Sequence, residues 1–250
     1  MDSNKLGVRF AVASLKRSHI RGDHVVVLPD IGPIVFRPGD SDISVIRQVF
    51  GTSDYDTRDY VQYERIKARY DELLAQGLLP VIIDAGANIG ASAMYFADAF
   101  PGARVVAIEP DPDNARVCAM NTSSRTNVRL WQAALGGTPG QVSLESRLNF
   151  SWGVRTYRSA DGEVPIVTIL QLIDAEGPTA RLFLVKIDIE GFEAEVFEHA
   201  EDWIGLPAVI IVEIHDWLLP GEKTSRSLFR ATANLERDVL IRGENLVFIR

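Results

Sequence analysis

Cysteine is nearly absent from this sequence. Cys118 stands alone among 250 residues, so no disulfide can close within the chain and no cysteine-based zinc site can be assembled. A reducing cytoplasm is the expected compartment. Positive charge is also scarce: 26 Lys and Arg face 34 Asp and Glu, a net charge of −8. That balance argues against a broad phosphate-binding surface and makes nucleic acid an unexpected partner. No run approaches the ~18 apolar residues of a membrane span. The opening Met1-Asp2-Ser3-Asn4-Lys5 leads into a stretch broken by Arg9, Lys16, Arg17 and Arg21, without the apolar centre of a secretion signal. Val8 to Leu15 suits a short amphipathic helix, read as packing on the parent domain rather than on a membrane.

What is present suffices for a full core. A hydrophobic fraction of 46% over this length fits one α/β domain of residues 61–250 preceded by an N-terminal extension, residues 1–60. In that extension His24-Val25-Val26-Val27-Leu28 and Pro33-Ile34-Val35-Phe36-Arg37 flank Pro29-Asp30-Ile31-Gly32, a β-hairpin pattern. Apolar positions Val61, Ile66, Leu73 and Leu74 at helical spacing predict a helix over 59–75. From Val81 onward, buried strands alternate with amphipathic helices, the pattern of a mostly parallel sheet with covering helices. Strands are expected at 81–84, 104–109, 128–132, 182–188 and 208–214. Helices are expected at 91–99, from Pro110-Asp111-Pro112 to Asn121, at 168–175, at 191–199 and at 223–235. The glycine-rich stretch 136–158 reads as an inserted hairpin or loop able to cover a site. Val239–Arg242 and Leu246–Ile249, joined by Gly243-Glu244-Asn245, form a terminal antiparallel hairpin.

The loop after the first core strand carries chemistry. Asp84-x-Gly86-x-Asn88-x-Gly90 lies between an apolar strand and a helix, where glycines permit tight turns and close approach to a ligand. A dinucleotide pyrophosphate prefers an uncharged, glycine-dense turn. Asp84 and Asn88 favour instead a cationic ligand such as S-adenosylmethionine, whose ammonium and sulfonium are eased by a nearby carboxylate. Glu109, 23 positions beyond Gly86 (109 − 86), falls near the ~20-residue offset at which a carboxylate meets ribose hydroxyls. It also suits the start of the following helix.

These residues resemble a known family. Asp84-Ala85-Gly86-Ala87-Asn88-Ile89-Gly90, Val106-Ala107-Ile108-Glu109-Pro110, Val185-Lys186-Ile187-Asp188-Ile189-Glu190-Gly191-Phe192-Glu193 and Val212-Glu213-Ile214-His215 look like the FkbM-type class I methyltransferases. Arg37-Pro38-Gly39 with Ser41-Asp42 resembles that family's N-terminal segment. The resemblance implies a Rossmann-like fold with a mostly parallel seven-stranded sheet. It also implies methyl transfer from S-adenosylmethionine to an oxygen of a sugar or natural-product small molecule, and it puts Ala133 or Ala134 beside the adenine.

Lys186-Ile187-Asp188-Ile189-Glu190-Gly191 ends a strand at the sheet edge where α/β proteins bind ligands. So many charges there require pairing, and Lys186 is expected to neutralise Asp188 or Glu190. An alcohol acceptor needs a base to take its proton, and Asp188, Glu190 and His215 are the candidates. The hard and borderline ligands Asp188, Glu190, Glu213, His215 and Asp216 admit a metal in principle; their convergence is invisible in sequence, and none is predicted. Trp152, Tyr157 and Trp217 are candidates to line the acceptor pocket. Two other readings share this framework: a nicotinamide-dependent oxidoreductase, against which Asp84 and Asn88 speak, and a non-catalytic binding module.

Overall fold

Strands buried on both faces organise the centre of the molecule. The computed structural model describes residues 22–146, 154–190, 192–218 and 220–250. The segment Val8–Leu15, Trp152 and Gly191 lie outside them. A hairpin of β1 (His24–Leu28) and β2 (Gly32–Phe36) opens the described chain, as its sequence predicts. A short helix, α1 (Asp42–Ile46), passes into a wider π-helical turn, Arg47–Thr52. Helix α2 (Tyr63–Ala75) starts four residues later than expected. Turns closed by Tyr60 N–H to Thr57 C=O and Tyr63 N–H to Tyr60 C=O occupy the intervening residues. The buried stripe is Ile66, Tyr70 and Leu73, whereas Val61 is 95% exposed and Leu74 faces solvent.

The core follows as β3 (Leu79–Ala85), α3 (Ala91–Ala99), β4 (Arg104–Ile108), α4 (Pro112–Thr122) and β5 (Val128–Trp131). Asp111 caps α4 by accepting from the Asp113 and Asn114 N–H groups at 2.9 Å, with Pro112 in the first turn. Next come β6 (Ala134–Leu135), β7 (Gly140–Ser146), β8 (Val154–Arg158), β9 (Val164–Val167) and α5 (Ile169–Ala175). A capping box between Thr168 and Gln171 starts α5. The chain then forms β10 (Ala180–Ile187), α6 (Glu193–Phe197), β11 (Val209–Glu213), α7 (Ser225–Thr232), β12 (Asp238–Arg242) and β13 (Asn245–Ile249).

Seven strands form one sheet in the order β12-β13-β11-β10-β3-β4-β5. It is parallel except for β13, which runs antiparallel to both β11 and β12. Successive strand residues feed opposite faces. Ile82, Val105, Leu184 and Ile211 pack with the hairpin, α2 and α3, while Ile83, Val106, Val185 and Ile210 pack with α5 and α6. The predicted insertion is a hairpin, β7 with β8, within a second sheet ordered β6-β9-β7-β8. Strand order reverses beside β3, flanked by β10 and β4. Connections leave in opposite directions there and open a crevice at the carboxyl ends.

Candidate functional site

Four strand ends meet at that crevice. β3 delivers Gly86 and Asn88, β4 delivers Glu109, β10 delivers Asp188 and Glu190, and β11 delivers Glu213 and His215; together they wall a cavity of about 480 Å³. That volume lies within the ~300–1,000 Å³ range of small-molecule sites. Ala134 and Thr156 line another side, so the second sheet contributes a wall. The N-terminal extension supplies the rest through Ser44, Gln48, Val49 and Tyr55, which the sequence reading missed. The apolar spacing Ile43, Ile46, Val49 was the available signal for that helical wall.

The nucleotide side is built on backbone geometry. Gly86 has φ +75°, and its N–H and that of Ala87 both donate to Ile108 C=O at 3.0 Å. Asn88 also sits in the left-handed region, at φ +50°. Its N–H donates to Glu109 Oε2 at 2.8 Å, while Asp111 N–H donates to Glu109 Oε1 at 3.0 Å. Glu109 thereby ties the β3 loop to the start of α4. Burial raises this carboxyl to about 7, against the lowering effect of the two backbone donors. Asn88 Oδ1 is buried without a hydrogen-bond partner.

Two predicted cofactor residues lie behind this wall. Asp84 is fully buried, accepts from Ser92 Oγ at 2.7 Å and stands 3.3 Å from Lys186 Nζ, without lining the cavity. Gly90 packs α3 on α4: a Cβ there would come 2.8 Å from Cys118 Sγ. Of the two alanines expected beside the adenine, Ala133 is buried outside the lining and Ala134 lines the cavity.

The opposite side is dense in charge. Lys186 lies directly across from Asp84 in the β10–β3 pairing. Its ammonium reaches Asp84 at 3.3 Å and Asp188 at 3.5 Å, and donates to the carbonyls of Ala85 at 3.2 Å and Gly86 at 2.7 Å. Of its two expected partners it takes Asp188, not Glu190. Burial alone would lower this ammonium, and electrostatic attraction from Tyr55, Asp84 and Asp188 holds it above the ordinary lysine range.

His215 is 1% exposed and holds Glu193 through Nδ1 at 2.5 Å. Its Nε2 faces Asp188 and Glu213 at 3.6 Å each and Glu190 at 3.9 Å. Burial lowers the imidazole, but Glu193, Asp188 and Glu190 outweigh it and push it up to about 9. Burial raises Glu190 and Glu213 to about 8 each. Glu190 Oε2 is buried and has no hydrogen-bond partner. Trp217 also lines the cavity, whereas Tyr157 is exposed and outside it.

Residues 84–237 match the methyltransferase FkbM domain, a span covering more than half of the chain. The chain belongs to the FkbM methyltransferase family. Membership sets the nicotinamide alternative aside, and the methyl donor is S-adenosylmethionine. The site fits that cofactor: bare backbone at Gly86, an unpartnered Asn88 oxygen and the Glu109 carboxylate border one cavity.

Solved structures similar to this chain include a putative caffeoyl-CoA O-methyltransferase from Staphylococcus aureus, at 12% identity and TM-score 0.43 over 84% of this chain and 91% of that one. Precorrin-6y C5,15-methyltransferase from Geobacter metallireducens GS-15 shares 14% identity at TM-score 0.40 over 78% and 90% of the two chains. The N-terminal domain of EvdMO1 with SAH bound shares 18% at TM-score 0.36, over 76% and 79%. No curated protein matches significantly. Among the described residues no helix is long and apolar enough to cross a membrane.

Proposed function

We propose that this FkbM-family member is an O-methyltransferase acting on a hydroxyl of a sugar or natural-product small molecule. One observation carries the reading: Glu190 lines the cavity, and its Oε2 is buried without a hydrogen-bond partner beside a ring of charge. A hydroxyl acceptor must lose a proton as its oxygen is alkylated, and an unpartnered carboxylate oxygen is suited to take it. When bound, S-adenosylmethionine supplies an electrophilic methyl group. Gly86, Asn88, Glu109 and Ala134 would hold the nucleoside, Glu109 offering a carboxyl to its ribose hydroxyls. Asp188, locked by Lys186, orients the acceptor. The walls from Gln48, Val49 and Thr156 would keep water from the acceptor and limit the poses it can take. We place the reaction in the cytoplasm, where the buried Cys118 needs no partner.

Calorimetry with S-adenosylhomocysteine and turnover on a panel of hydroxylated acceptors test this. The wild type binds and forms a methyl ether; Glu190→Gln keeps the binding and loses roughly 10²–10⁴-fold in kcat. Binding without turnover on any acceptor would favour the non-catalytic module. Equal turnover by Glu190→Gln would remove it as the base.

The carboxyl of Glu109 makes a separate prediction. Its value near 7, against 4.5 ordinarily, means that the folded chain retains a proton between those limits that the unfolded chain releases. Its contribution to stability therefore declines as pH rises through this window. Ribose hydroxyls donate to the ionised form, so S-adenosylhomocysteine binding near pH 6.5 expels part of a proton. Binding enthalpies in buffers of different ionisation heat measure it; Glu109→Gln abolishes the release and weakens binding roughly 10- to 100-fold. An identical proton count in wild type and variant would contradict the assignment.

A further inference from the structure

The acceptor end of the cavity holds more carboxyl groups than cations. Asp188, Glu190, Glu193 and Glu213 surround His215 and Lys186, and Lys186 is already shared with Asp84. Such an excess in a largely water-excluded wall is relieved either by protons on the carboxyls or by another cation.

The geometry supplies a second, independent pointer. The His215 side chain is 1% exposed, and its Nε2 makes no hydrogen bond among the described residues. Asp188 Oδ1 and Glu213 Oε1 stand 3.6 Å from it, too far to bond and too close for an intervening water. Atoms bound to one ion at ~2.1 Å lie ~3.0 Å apart at right angles and ~4.2 Å apart when opposed, which brackets those separations. One ligand atom from each of Asp188, Glu213 and His215 falls within 4.8 Å of the others. Behind the imidazole, Glu193 grips Nδ1 at 2.5 Å. Such a carboxylate is the usual means of fixing a metal-binding histidine with Nε2 outward.

We infer that Asp188, Glu213 and His215 bind a divalent cation at the acceptor end of the cavity, the ion taking the place of the proton on His215 Nε2. Two carboxylates and one imidazole suit an ion between hard and borderline, such as Mn²⁺, with its open positions turned to the cavity. Resting on the O-methyltransferase reading, the ion's role is to hold an acceptor through one or two of its oxygens beside Glu190. This differs from the sequence expectation of no metal, because only the fold brings β10 and β11 ends together.

Mn²⁺ is the probe, added to the full chain with and without S-adenosylhomocysteine. Electron paramagnetic resonance of free Mn²⁺ should report one bound equivalent, and the His215 imidazole NMR signal should broaden selectively. Glu213→Gln and Asp188→Asn should weaken binding at least tenfold, and Glu193→Gln roughly 10- to 100-fold by loosening the imidazole. Melting temperature and S-adenosylhomocysteine affinity confirm that each variant folds. Absence of both Mn²⁺ uptake and His215 broadening in the wild type at millimolar metal overturns the inference. So does Mn²⁺ binding unchanged in folded Glu213→Gln and Asp188→Asn. Since these readouts need no turnover, Mn²⁺ bound at His215 in a chain that methylates nothing leaves the site standing and removes only the O-methyltransferase reading.

Discussion

Replacing Lys186 by methionine lowers stability by about 3–5 kcal/mol, the range for removing one partner of a buried ion pair. For a chain of this length that is a drop of roughly 6–20 °C in melting temperature. The side chain is 2% exposed and lies between Asp84, itself fully buried, and Asp188. Methionine fills most of the volume, so packing changes little while two carboxylates lose their cation. At the same time the Gly86 carbonyl loses its lysine donor, and the Ala85 carbonyl keeps only Asp188 N–H. Since Gly86 opens the cofactor loop, S-adenosylhomocysteine affinity should fall together with the melting point. Adding Asp84→Asn to Lys186→Met tests the cause: removing the orphaned charge should recover part of the lost stability. A melting point within about 2 °C of wild type would mean that water or a proton compensates the carboxylates, and the electrostatic account would fail.

This pair also marks where sequence reading stops. The strand-loop-helix pattern around Gly86 was legible because glycine, an apolar strand and a following helix are local signals. The same holds for alternating strands and helices and for the closing β12–β13 hairpin, whose periods and turn residues are contiguous. Lys186 opposite Asp84 was not legible, because their 102-residue separation (186 − 84) is bridged only by parallel register. Motif spacing likewise does not distinguish a residue facing the ligand from one packing behind it. Glu109 and Asn88 line the cavity, whereas Asp84 is held by Ser92 and Lys186, and Gly90 serves the α3–α4 contact. Tyr55 and Gln48 escaped notice for the same reason. Their segment carries no chemistry of its own and becomes a wall only when it folds over the sheet edge. The convergence of Asp188, Glu213 and His215 depends on β10 and β11 being neighbours, which the alternation implies only in outline.

Gly86→Ala should be the most damaging small substitution in the chain. Its backbone is left-handed at φ +75°, a conformation costing roughly 1–3 kcal/mol for a side-chain-bearing residue. The greater obstacle is steric. A Cβ there would lie 1.7 Å from the Asp188 carbonyl oxygen and 2.8 Å from its carbon. Those atoms belong to the backbone, and Asp188 N–H is fixed to Ala85 C=O at 3.1 Å, so the carbonyl cannot swing aside independently. The ends of β3 and β10 must separate, which adds an overpacking cost of about 1–3 kcal/mol. Separation pulls Gly86 away from Lys186 and moves the loop that presents Asn88. The expected result is a melting temperature lower by roughly 4–24 °C, with S-adenosylhomocysteine affinity reduced at least ~100-fold. Gly177→Ala is the control. Gly177 is also left-handed, at φ +94°, yet no atom lies within 4 Å of its added Cβ. It should show the backbone strain alone, with cofactor affinity intact. If Gly86→Ala lowered stability no more than Gly177→Ala and still bound S-adenosylhomocysteine, the close approach of the two strand ends would not be what shapes the cofactor site.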